Sequence, residues 1–273
     1  MKQFILYMLL ATSVFCFFSC DLFVTPIFSS ERDFGDSLDE YSTSEIIDNI
    51  KKFPSDPKSA SDLLTELSER CDEASEKGEN LCDSLSLEEK EAVLTGVVSS
   101  TIPVSTVADY IDETTSNTES EFSYEEFADV LIDSGAFLEN TSIIEALLSD
   151  AEVLDNADAY SIMLSATSLV ASAMKKQKDT SDKSVTDLLS SIKVATQADV
   201  SGSGSFTDAL VAEGFAPEIA EAINISYQVT TYLTENRGDE TSEVSLLGFN
   251  MGDFLDDFFG IEKEETGSTP EGS

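Results

Sequence analysis

Residues 158–178 read DAYSIMLSATSLVASAMKKQK, and this stretch decides the fold class. Sixteen residues, Ala159 to Met174, stand between Asp158 and Lys175, with apolar side chains on every side of a helical projection and Ala, Ser and Thr between them. A helix that is apolar all round belongs in a core or a membrane. This one falls short of the ~20 residues a spanning helix needs, and it is rich in hydroxyls. It is therefore expected to be a central core helix, whose small residues let neighbours approach closely. Lys175, Lys176 and Lys178 then complement the negative end of the helix dipole. A second helix of low polarity is expected from Glu218 to Thr234.

Around these two the chain offers one-sided helices. Leu63, Leu64, Leu67 and Cys71 make one apolar stripe, Val185, Leu188, Leu189 and Ile192 another, and Ile143, Ile144, Leu147 and Leu148 a short third. Ser42-x-x-Glu45, Ser86-x-x-Glu89, Ser123-x-x-Glu126 and Ser142-x-x-Glu145 match the capping box, in which a hydroxyl and a carboxylate satisfy each other's backbone N–H groups. Pro103 and Pro217 sit where helices would begin. Gly78, Gly135, Gly214, Gly238 and Gly260 sit where they would stop. No run of alternating polar and apolar residues competes. The fold is expected to be all-α: an irregular multi-helix bundle or a divergent helical-repeat array, with about ten helices by pattern. Asn156 to Tyr160 looks like the opening of a tetratricopeptide repeat, but Leu164 and Thr167 break the motif, and nothing similar recurs about 34 residues away.

The amino terminus has the order of a secretory signal. Lys2 supplies the charge, Phe4 to Phe18 the apolar run, and Ser19 the small residue at the cut. Phe17-Phe18-Ser19-Cys20 resembles the lipobox of bacterial lipoproteins, in the looser form of spirochaete-type boxes. That resemblance implies cleavage before Cys20, lipidation of Cys20, and anchoring on a membrane of the cell envelope, facing an extracytoplasmic space. Two or three acyl chains anchor stably where one is marginal. An ordinary signal peptide cut near Ser19, leaving a soluble protein, is the alternative. On this reading residues 1–19 are the signal peptide and 20–43 the lipidated cysteine with an acidic tether. Residues 44–238 are the helical domain, 239–262 an amphipathic helix docked on it, and 263–273 a disordered tail. The tether reaches roughly 25–30 Å as a flexible coil.

Removing Lys2 takes the net charge from −39 to −40, with 14 basic against 54 acidic residues. Nucleic acid and anionic head groups are disfavoured as partners, because such affinity rests on basic residues neutralising phosphates. Histidine and tryptophan are absent. A Ser-His-Asp or Cys-His nucleophile system is thereby excluded, as is any His-ligated zinc site. Of four cysteines, Cys16 leaves with the signal and Cys20 takes the lipid. Cys71 and Cys82 remain, an even pair flanking a turn in an exported chain, where disulfides persist. A disulfide between them is expected, with two buried thiols as the alternative.

Three stretches invite a site reading. Asp199 to Leu210 imitates a calcium loop, but the bidentate Glu of position twelve is replaced by Leu210. A Gly/Ser linker capping a helix that begins near Thr207 is the better account. Asp253, Asp256 and Asp257 share a helical turn, read as the polar face of an amphipathic helix and not as a metal site. Beside them crowd Leu246, Leu247, Phe249, Met251, Phe254, Leu255, Phe258, Phe259 and Ile261. This apolar side is expected to dock on its own domain; alternatively Phe254, Phe258 and Phe259 bind a partner as a helix set in a groove. No metal, cofactor or catalytic residue is assigned. The expected function is a non-enzymatic interaction or scaffold protein, held on the membrane by lipid, with an unidentified protein partner. A helical module binding a lipid or small molecule is the first rival, and a carboxylate-pair hydrolase the second. A large apolar pocket lined by the small-residue helices would favour the first rival, and a filled core the scaffold.

Overall fold

The computed structural model describes residues 35–52, 57–102, 104–116, 123–134, 141–241, 244–246 and 249–261. It is an all-α multi-helix bundle. A 3-10 turn (Gly35–Glu40) leads into α1 (Thr43–Lys52), α2 (Pro57–Glu76), α3 (Leu87–Thr101) and α4 (Val104–Ser116). There follow α5 (Tyr124–Ser134), α6 (Ser142–Leu148), α7 (Ala151–Asn156), α8 (Ala159–Thr180), α9 (Val185–Val200) and α10 (Phe206–Ala212). The chain ends in α11 (Pro217–Asn236), a short turn α12 (Gly238–Thr241), and α13 (Met251–Phe259). The departure from pure helix is a two-residue antiparallel ladder, β1 (Ser245–Leu246) on β2 (Phe249–Asn250), with Leu246 opposite Phe249. The signal peptide, Cys20, Pro103, Gly135, Leu247 and the tail from residue 263 lie outside the described residues.

The two low-polarity helices pair at the centre: α8 runs against α11, with α3, α5 and α6 also packed on α8. Ile162, Met163, Leu164, Ala166, Leu169, Val170 and Met174 are all buried. So are Ser165, Thr167, Ser168 and Ser172. A buried hydroxyl is tolerable only when bonded. Here Thr167 donates to the Met163 carbonyl (2.9 Å) and Ser168 to that of Leu164 (2.8 Å). Ser165 reaches the Leu94 carbonyl on α3 (3.3 Å), and Ser226 of α11 donates to that of Ala166 (3.0 Å). The small residues thus do two things: they let helices come close, and their hydroxyls stitch the close pairs together. Met174 is not the end of α8. The helix continues to Thr180, so Lys175 and Lys176 lie inside it and Lys178 alone falls in the last turn.

The expected caps mostly form. Ser42 with Glu45 and Ser86 with Glu89 make reciprocal boxes, and Ser123 accepts from the Glu126 N–H (3.3 Å). Ser142-x-x-Glu145 does not: α6 begins at Ser142, one residue early for that pattern, and Thr141 occupies the cap. Pro217 opens α11, and Gly78, Gly214 and Gly260 adopt positive φ at helix ends. Gly238 opens α12, and Arg237 caps α11. At Gly96 the reason for glycine is a crossing: a Cβ there would lie 2.4 Å from the Ile50 Cγ2 of α1.

The segment counted as tether meets the domain before residue 43. Arg70 on α2 donates to the carbonyls of Tyr41 (2.6 Å) and Leu38 (2.9 Å), and pairs with Glu66 at 2.6 Å. Leu38 and Tyr41 pack on the core beside it.

Helix α2 stops where Gly78 takes a φ of 77°, with the Glu79 N–H returning to the Ala74 carbonyl. The reversal brings Cys82 back to Cys71, and the two sulfurs are bonded at 2.03 Å. Closing a loop with a separation of 11 residues stabilises the fold by roughly 3 kcal/mol in the chain-entropy model. Non-reducing peptide mapping of protein isolated from cells should link the two cysteines, and reduction should lower the melting temperature. Labelling of both thiols in the native protein would overturn this.

Helix α13 docks on its own domain. Asn250 caps it by accepting the Asp253 N–H (2.9 Å), and Gly260 closes it in the left-handed conformation. Phe254 meets Phe127 of α5 edge-on at 5.1 Å, and Phe259 meets Tyr227 of α11 at 5.4 Å and Phe206 of α10 at 6.3 Å. Phe254, Phe258 and Phe259 are at most 3 % exposed, so they are core residues and not a free partner-binding face. The polar face is not wholly outward either. Asp257 lies 3.6 Å from Lys193, but Asp256 is buried.

Candidate functional site

The sequence candidates disperse on folding. Asp199 lies in the last turn of α9, the serines behind it fold back on the Ala198 carbonyl, and Ser205 caps α10 by accepting the Asp208 N–H. That is the linker-and-cap reading, with α10 starting at Phe206. Asp253, Asp256 and Asp257 do not converge. Among the described residues no group of three His, Cys, Asp or Glu is placed to hold a metal. Four carboxyls among the described residues, Glu45, Glu89, Asp150 and Asp187, are displaced below their ordinary pKa range. For Glu45, Glu89 and Asp187 the cause is hydrogen bonding to the capping serine, and for Asp150 it is the Lys90 hydrogen bond. In each case the cause is a structural contact, a helix cap or an ion pair.

What the fold does build is a cleft of about 660 Å3 where α8, α11 and the start of α6 meet. Leu169, Ala173, Ile219 and Ala222 supply its apolar lining. At Ala173 and Ala222, residues of the two small-residue helices, side chains end at Cβ and leave the space that larger residues would fill. The rim carries both signs of charge: Lys175, Lys176 and Asp179 from α8, Glu145 from α6, and Glu218 and Glu221 from the first two turns of α11.

The walls are held in place by side chains outside the cleft. Gln177 donates to the Gly214 carbonyl and accepts the Ala216 N–H, both at 3.2 Å, tying the entry of α11 to α8. Lys183 donates to the Glu213 carbonyl (2.5 Å) and lies over the Phe215 ring. Lys178 leaves the cleft to the other side, where it pairs with Asp133 (2.6 Å) and Asp129 (3.6 Å).

In the sequence Lys175 and Lys176 read as helix-end charges, and although the small-residue helices mark where a pocket would lie, nothing there places these lysines on its rim. The helix length decides it: a terminus at Thr180 moves the pair a full turn inward, beside Ala173. The other concavities described are smaller. One of about 180 Å3 lies at the disulfide, and a void of about 10 Å3 lies between α5, α8 and α13. No single helix among the described residues is long and apolar enough to cross a membrane. No family model, no curated protein and no solved structure matches the chain.

Proposed function

We propose that this chain is a non-enzymatic binding protein of a bacterial cell envelope, held on a membrane by lipid at Cys20, and that it binds its ligand in the cleft between α8 and α11. The cleft carries the reading. It lies between two helices whose small residues leave room, and its size is in the range of ligand pockets, about 300–1,000 Å3. It combines an apolar lining with a few convergent polar groups, the usual composition of such sites.

A scaffold role is the second reading, and the continuous core favours it. The buried apolar side chains form one cluster that includes α13. Purification from detergent-solubilised membranes separates the two. A small molecule retained through gel filtration supports ligand binding, and a stoichiometric protein partner with an empty cleft supports the scaffold.

The anchor rests on Ser19-Cys20 at the end of the apolar run. Intact mass of the mature protein should show an acylated cysteine at its amino terminus, and Cys20→Ala should release the protein or stall its processing. An unmodified amino terminus elsewhere would remove the anchor from the proposal.

A further inference from the structure

Resting on the binding reading above, we infer that the cleft takes a single-chain amphiphile with a zwitterionic head. Exposed charges of both signs stand on its rim. Lys176 is exposed and makes no ion pair among the described residues. Lys52 is likewise exposed without an ion pair among the described residues, and Lys183 bonds a backbone carbonyl in place of a carboxylate. Lys51, Lys77, Lys90, Lys178 and Lys193 all have carboxylates within 4.0 Å. Across the cleft Glu218 and Glu221 are exposed on the first two turns of α11, neither with an ion pair among the described residues, while Asp179, also exposed, stands on the Lys176 side.

A head of one sign would meet its own sign on the rim, and juxtaposed like charges are a standard means of rejecting a ligand. A zwitterion presents an anionic group to Lys176 and an ammonium to Glu218 and Glu221, and so meets less repulsion than a head of either single sign, with Asp179 the one acid on the lysine side. The apolar part then lies over Ala173 and Ala222, where the small residues leave space. The volume suits one chain with a compact head, a ligand of drug size.

The test is titration calorimetry with four probes that share a twelve-carbon chain, each below its micelle-forming concentration: dodecylphosphocholine, laurate, dodecyltrimethylammonium and dodecyl maltoside. The zwitterion should bind tightest. Lys176→Gln and Glu221→Gln, both at exposed positions, should each weaken it by about threefold to fivefold, the scale of an exposed ion pair. Lys176→Gln should improve the relative binding of the cationic probe, and Glu221→Gln that of laurate. Raising the salt should narrow these differences. Equal binding of all four probes, unmoved by either variant, overturns the charge specificity and leaves an apolar ligand site. A preference for either singly charged probe overturns it too. If no probe binds, the cleft is not a ligand site and the binding reading falls with this inference. Urea unfolding of both variants, expected unchanged, shows that lost affinity is not lost fold.

Discussion

A chain truncated before Leu246 is expected to lose its cooperative fold. The deletion removes α13, whose Met251, Phe254, Leu255, Phe258 and Phe259 are each at most 3 % exposed. Full burial of one such side chain contributes roughly 1.5–3 kcal/mol. Their combined loss approaches the ~5–15 kcal/mol stability of a whole domain. The damage is also distributed. Phe254 closes over Phe127 of α5, while Phe259 closes over Phe206 of α10 and Tyr227 of α11. Removing the helix uncovers these three elements and the faces of α8 and α9 on which it also packs. Thermal and urea unfolding followed by far-UV circular dichroism reads the effect. Phe259→Ala gives a graded version, with an expected loss of roughly 3–5 kcal/mol for a buried aromatic. An unchanged melting temperature in both would mean that the helix is not part of the core, and Phe254, Phe258 and Phe259 would return as a docking face.

The fold class was legible because its signals are local. Ser42–Glu45 and Ser86–Glu89 announce helix starts within four residues, and both boxes form. The all-round apolar stretch before Lys175 marks the central helix without reference to anything else. Errors arise where a neighbour decides. Ser184–Asp187 is a full capping box that the Ser-x-x-Glu pattern overlooks, because Asp does there what Glu usually does. Leu38 and Tyr41 read as tether, since the residue that holds them, Arg70, lies 29 positions beyond Tyr41. The cleft was illegible for the same reason. Ala173, Lys176, Glu218 and Ala222 each have an ordinary role in their own helix, and only the crossing of α8 with α11 sets them around one space. Asp256 inverts the expectation for a polar face, because packing of α13 turns that side of the helix inward.

The second large effect is expected at Asp150. Its Oδ2 lies 2.6 Å from the Nζ of Lys90, whose side chain is 3 % exposed on α3, and Glu152 lies 3.4 Å from the same ammonium. Asp150 also caps α7 by accepting the Glu152 N–H (2.8 Å). Asp150→Ala leaves the buried ammonium with Glu152 alone, a longer contact at 3.4 Å to a more exposed carboxylate. Breaking a fully buried pair costs roughly 3–5 kcal/mol, an upper bound here because Asp150 is 25 % exposed and Glu152 remains, and the lost cap adds about 1 kcal/mol. Lys90→Met should be much milder, because the charge leaves together with its need for a partner. Asp150→Asn separates the two duties, since Asn caps as well as Asp but carries no charge.

The pH dependence of that variant has a definite sign. The Lys90 hydrogen bond, opposed by burial, holds the Asp150 carboxyl below its ordinary range. A depressed carboxyl contributes stability that is complete above its unfolded pKa of about 3.9 and is lost as pH falls through the folded value. The stability difference between the wild type and Asp150→Asn should therefore be flat above pH about 5 and shrink below about 4. Glu45, Glu89 and Asp187, also displaced downward, are present in both proteins and cancel in the difference. Urea unfolding across that pH range is the measurement. A difference that persists undiminished into strong acid would show that the pair is not what Asp150 contributes. Lys90→Met proving as damaging as Asp150→Ala would show that packing, not charge, governs the site.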